Sequence, residues 1–122
     1  MTVARDDLFL AQPPGPRAAA RFTCRPAGPR AVVITIEGEI DAANADNLSE
    51  FVAARVGEGE RLILDCSAVT FFAVEGFSAL QRITVMCAQA GATWVLVPST
   101  SVSRVLTLCK REPADRPLRL VR

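Results

Sequence analysis

The side chains able to do chemistry are few, and their spacing limits what they can do. The chain contains no histidine, which removes the commonest general base, the commonest metal ligand and the usual pH switch together. Enzymes of the Ser-His-Asp or Cys-His type are therefore excluded. Asp65 and Glu75 are the nearest approach to a carboxylate pair, but a loop separates them and neither has a nucleophile or metal ligand beside it. Cys24, Cys66, Cys87 and Cys109 are widely spaced, with no Cys-x-x-Cys to begin a zinc site. They read as small, reduced and mostly buried side chains, with a redox-responsive pair as the sharper alternative. Ser67, Thr70 and Ser78 read as turn and helix hydroxyls satisfied locally; Ser78 is the least implausible substitute phosphoacceptor among them. Without a Gly-rich phosphate loop or a Lys-Ser or Lys-Thr ending to one, no cofactor and no metal is expected. The residues point to binding, not to catalysis.

Such a site needs a frame, and Arg61 to Gly76 supplies its centre. Leu62, Ile63 and Leu64 form a short apolar run between charged residues and Asp65-Cys66-Ser67, as a strand buried on both faces would. An exposed loop is expected next. Phe77, Leu80, Ile83, Thr84 and Cys87 then recur at helical spacing, which predicts a helix from about Glu75 to Ala90 with Gly91 as its left-handed cap. The end of a buried strand that feeds a helix is where α/β proteins usually bind ligands and partners. Phe71 and Phe77 are expected in the core, Phe72 and Val74 at the surface.

The remaining elements follow from the same signals. Arg21 to Arg25 alternates weakly, Pro26-Ala27-Gly28-Pro29 is a turn, and Ala31 to Glu37 is a strand rich in β-branched residues that pairs antiparallel with the first. Asp41 is placed as N-cap of a helix that carries Leu48, Phe51, Val52 and Val56 on one face and stops at Gly57 and Gly59. Thr93 to Val97 is a further strand, and Val102, Val105, Leu106 and Cys109 are the stripe of a third helix capped by Ser99, Thr100 or Ser101. Pro117 to Val121 offers a last short strand. Residues 1–19, with Pro13, Pro14 and Pro16, read as a mobile leader in which Leu8-Phe9-Leu10 adds an edge strand or docks on a partner. Residues 20–122 are one α/β domain with a mixed sheet, an antiparallel strand pair at the front and about three helices.

Fourteen Lys and Arg against thirteen Asp and Glu leave a formal charge of +1. That balance gives no reason to expect nucleic acid or an anionic membrane as partner. The chain lacks a signal-peptide pattern and an apolar run of transmembrane length, so a cytoplasmic protein is expected.

Three blocks resemble the STAS domain, and more narrowly the bacterial anti-sigma-factor antagonists. They are Gly38-Glu39-Ile40-Asp41 with Ala42-Ala43-Asn44, then Leu62 to Phe72, then a glycine, Gly76, at a helix start. Val102 to Leu106 also sits where that family has a third helix. The resemblance implies a STAS-like fold and a kinase-like anti-sigma factor as partner. In that family an Asp-Ser-Ser-Gly or Asp-Ser-Thr-Gly turn carries a hydroxyl that the partner phosphorylates, and the added charge abolishes docking. Here the turn is Ala73-Val74-Glu75-Gly76. Ala73 stands for the acid and Val74 for the phosphoacceptor, so no phosphorylation is expected at that position.

Two readings of this departure remain. Glu75 places a negative charge at the helix N-terminus, worth roughly 0.3–1 kcal/mol, and so imitates a phosphoserine weakly. Alternatively Val74, among Phe71, Phe72 and Phe77, makes an apolar loop suited to constitutive binding. A single carboxylate copies a dianion poorly, which favours the second. The expected partner surface is Glu39, Asp41, Phe72, Ala73, Val74, Glu75 and Gly76. A STAS-type sensor of nucleotides or other small ligands, or a scaffold subunit of a signalling complex, is the alternative. A homodimer through the edge strand at residues 21–25 is a further expectation.

Overall fold

The computed structural model describes residues 19–109. The expectations for a leader and for a strand at Pro117 to Val121 fall outside those residues, apart from Ala19. β1 (Arg21–Pro26) and β2 (Ala31–Ile40) form the expected antiparallel pair, with Arg21 opposite Glu37 and Pro26 opposite Val32. α1 (Ala45–Arg55), β3 (Arg61–Phe72), α2 (Val74–Gln89), β4 (Thr93–Val97) and α3 (Thr100–Cys109) follow. The sheet order is β1-β2-β3-β4, with β3 parallel to both of its neighbours. Each parallel step is bridged by a helix, as a crossover requires. Gly91 takes φ +68° immediately beyond α2, as expected of a cap.

The core follows from the period-two pattern of the strands. Ile34 and Ile36 of β2, Leu62, Leu64 and Cys66 of β3, and Trp94 and Leu96 of β4 share one buried cluster with all three helices. Burying each such side chain contributes roughly 1.5–3 kcal/mol against the unfolded chain. Ile63 lies on the other face and is only half-buried, so β3 is not equally covered on its two sides.

β3 corrects the sequence reading most. It does not give way to a loop after Ser67 but runs on to Phe72, and β2 runs on beyond Glu37 to Ile40. The register shows why the extension is irregular. Thr35 faces Asp65 and Glu37 faces Ala68, then Gly38 faces Val69 and Glu39 faces Phe71. β3 therefore carries one extra residue at each of two bulges. Side chains fasten both. The Asp65 carboxylate accepts the Ser67 backbone N–H at 3.0 Å and its hydroxyl at 2.6 Å, and Thr70 donates its hydroxyl to the Gly38 carbonyl at 3.2 Å.

The cysteines are all free, but only Cys66 and Cys87 are buried; Cys24 is exposed and Cys109 lies between. Burial pushes the Cys66 thiol from its ordinary 9.0 up to about 12, with the Asp65 charge acting in the same direction. Burial also raises Cys87. Between those two values at Cys66 the unfolded chain releases a proton that the folded chain keeps. Stability is therefore fully present below pH 9.0 and falls as pH rises through the window, by about 1.4 kcal/mol per pH unit. Thermal midpoints measured from pH 8 to 11 are expected to show this decline. A thiol reagent at pH 8 is expected to label Cys24 and spare Cys66.

Candidate functional site

The strand pairing brings together the two segments singled out in the sequence. Glu39 faces Phe71 and Ile40 faces Phe72, and Ala73 donates its N–H to the Ile40 carbonyl at 2.9 Å. The Gly38–Asp41 segment thus lies beside the β3–α2 junction at the C-terminal end of the sheet. α3 completes the group, because Ser101 donates its hydroxyl to the Thr70 carbonyl at 2.8 Å. Ser99 caps that helix by accepting the Val102 N–H at 3.2 Å.

Asp41 is not the helix cap. α1 begins at Ala45, and Asp41 instead organises the turn before it, accepting the Ala43 N–H on its carboxylate at 3.0 Å and the Ala45 N–H on its carbonyl at 3.0 Å. The residue that joins strand to helix is Asn44. Its side-chain nitrogen donates to the Glu39 carbonyl at 2.9 Å, and its side-chain oxygen accepts the Asp41 N–H at 3.0 Å. Asn44 is buried at 8% exposure, so losing it strands two backbone groups. Asn44→Ala is expected to cost about 1–3 kcal/mol, read as a lowered denaturant midpoint at unchanged slope. An asparagine just ahead of the helix was the available signal for it.

At the junction itself only Ala73 separates strand from helix. Its extended backbone (φ −86°, ψ 169°) turns the chain, and no side chain caps α2. Phe71 and Phe72 exchange the places expected of them. Phe72 is 4% exposed and belongs to the core, whereas Phe71 is 45% exposed and Val74 58%. The second bulge is the reason, since an extra residue in β3 changes which of two neighbours turns inward. Gly76 is buried directly on Phe72; a Cβ there would lie 2.5 Å from the ring. Phe77 packs on the core from the first turn of α2. Glu75 is the acidic residue of that turn and is exposed, where its charge favours the open N–H groups. Asp65 holds Ser67 seven residues before the end of β3, about 20 Å from the junction at strand rise. Asp65 and Glu75 are thus not a catalytic pair. Exposed Phe71 and Val74 beside the turn at Glu39 and Asp41 form a surface that can bury against another surface.

The family model described as the STAS domain matches residues 26–113. The chain belongs to the STAS family. A mixed four-stranded sheet with an antiparallel β1–β2 pair, and three helices among the described residues, is the expected fold. Osmosensory protein A of Mycobacterium tuberculosis is 40% identical to this STAS chain over 72 residues, which is 59% of this chain and 46% of the relative. The chain thus spans under half the length of that curated protein. Among solved structures, an anti-sigma factor antagonist from Mycobacterium paratuberculosis superposes with a TM-score of 0.69 at 21% identity, covering 84% of this chain and 85% of its own. The anti-sigma factor antagonist SpoIIAA in its unphosphorylated form gives 0.58 at 21% identity, covering 83% and 88%. At such identities the likeness shows the fold.

Proposed function

We propose that this STAS protein is a non-catalytic regulator that binds an anti-sigma factor, or a related signalling partner, through Phe71, Val74 and Glu75 with Glu39 and Asp41 alongside. The observation that carries the reading is the exposure of two large apolar side chains, 45% at Phe71 and 58% at Val74. They lie where the family resemblance puts its docking turn. Buried apolar anchors of this kind supply most of the affinity of a protein interface. The anti-sigma factor antagonists that share the fold support the choice of partner. Ala73 and Gly76 shape the backbone, and Phe72 supports it from within.

Val74 has no hydroxyl, so the partner cannot phosphorylate that position. Binding on this reading is constitutive, with control exerted elsewhere. Glu75 supplies one charge where phosphate supplies nearly two, which leaves the apolar pair dominant. The protein works in the cytoplasm, where sigma factors act.

The test is calorimetry against the host's anti-sigma kinases, for the wild type and for Val74→Ser, with and without ATP. Tight wild-type binding that ATP does not relieve is expected, with relief by ATP restored in Val74→Ser. Failure of both proteins to bind any of the kinases would sink the anti-sigma assignment.

A further inference from the structure

α2 turns Gly76, Ala79, Leu80, Ile83 and Cys87 to the core, and its opposite side carries Val74, Ser78, Gln81 and Val85, all exposed. At about 100° per residue those four fall within roughly 60° of one another, in a single line along the helix. No charge stands in that line, where a helix facing only water carries its charged residues, and its two valines are 58% and 55% exposed. The spacing is symmetric: Ser78 follows Val74 by four residues, and Gln81 precedes Val85 by four. A two-fold axis crossing the helix at the middle of the line therefore sets each Val74 opposite Val85 of a second copy, and each Ser78 opposite Gln81. Apolar meets apolar and hydroxyl meets amide, so the line is complementary to itself read backwards. Charge agrees as well. Glu75 and Arg82 form the adjacent row toward α1, where Arg82 is held on Asp46 at 2.7 Å. Antiparallel pairing brings Glu75 of each copy alongside Arg82 of the other.

We infer that a second copy of this chain docks on α2, helix against antiparallel helix, with Val74 packed on Val85 and Ser78 hydrogen-bonded to Gln81 on both sides of the axis. One helix pair buries less than the roughly 1,200 Å² at which stable interfaces begin, so the dimer is weak and forms as concentration rises. Val74 lies inside it. The dimer therefore excludes any partner that docks on the same valine. The self-contact stands independently of a partner's identity; only the exclusion rests on the function proposed above. Where about nine-tenths of the copies are paired, apparent affinity for the partner falls about tenfold.

The test is sedimentation equilibrium of the full-length chain over rising concentration, for wild type, Val85→Asp, Val74→Lys and an equal mixture of the two variants. The wild type is expected to self-associate, and each variant alone to lose about tenfold in self-affinity, since its new charge faces a valine. The mixture is expected to regain most of that loss, because the mixed dimer sets the introduced amine opposite the introduced carboxylate and keeps one pair of valines. A wild type that stays monomeric overturns the inference. So does a dimer that Val85→Asp leaves intact, as one through the β1 edge would be, or a mixture no better than its components. Urea midpoints check that the variants fold. Should one fail to, Gln81→Leu replaces it, expected to tighten self-association about tenfold by widening the apolar line; unchanged self-affinity there overturns the inference too. Where a kinase partner has been found, its apparent affinity is expected to fall with rising concentration of wild type but not of Val85→Asp, and equal behaviour overturns the exclusion. A dimer seen without any kinase partner leaves the self-contact standing and removes the anti-sigma reading alone.

Discussion

Gly76→Val is expected to destabilise the domain by about 3 kcal/mol, at the upper end of what overpacking costs. Against a total of about 5–15 kcal/mol, that is a large share. The reason lies in the ring beneath the glycine, since a Cβ would stand 2.5 Å and 2.6 Å from two ring carbons of Phe72. Phe72 cannot yield freely, because it is itself buried at 4% exposure among core residues. Gly76→Ala separates this cause from helix propensity. Propensity alone predicts a gain of about 0.5–1 kcal/mol for replacing a helical glycine, whereas the contact predicts a loss of about 1–3 kcal/mol. Urea midpoints decide the sign. Combining Gly76→Ala with Phe72→Leu should recover part of the loss, and strictly additive effects would show that the ring is not what the methyl meets.

Phe71→Ala and Val74→Asp have the opposite signature: large effects on association and little on folding. Neither side chain belongs to the buried core cluster, so the loss of stability should stay below about 1.5 kcal/mol, most of it from the half-buried ring of Phe71. Each variant is expected to weaken an anti-sigma partner by 2 kcal/mol or more, about thirtyfold. Val74→Asp adds the cost of facing a desolvated carboxylate toward an interface. Calorimetry for affinity beside urea denaturation for stability reads the two together. Unchanged affinity in both variants would move the binding surface elsewhere.

The sequence made the fold plain wherever side-chain periodicity was regular. The β-branched run at Ala31, the helical stripe from Phe77 to Cys87 and the glycine after it each led to the element observed, within one to three residues at its ends. Legibility failed at the irregular end of β3. Asp65, Ser67 and Thr70 are residues that commonly close strands and open turns, yet here their side chains fasten bulges and keep the strand going. The same polar chemistry serves either purpose, and only the neighbouring strand decides between them. The exchange of Phe71 and Phe72 follows from that. That Glu39 and Asp41 lie beside Val74 and Glu75 was legible in the sequence, because strand order and crossovers bring strand ends together whatever the details of register. Asn44 does not stand out in the sequence because Asp41 satisfies the same capping rule three residues earlier.

The two bulges make the outward display of this domain a matter of counting. Inward positions along β3 fall at Leu62, Leu64 and Cys66, then at Val69 and Phe72, so the interval changes from two residues to three. Deleting one residue from the first bulge, Ser67 for instance, would bring the interval from Cys66 to Val69 back to two. Val69 and Phe72 would stay inward and Phe71 outward, with the bulge gone and the downstream register with β2 kept. A change of length at that point is thus taken up as a bulge lost, and the outward display of Phe71 and Val74 survives it.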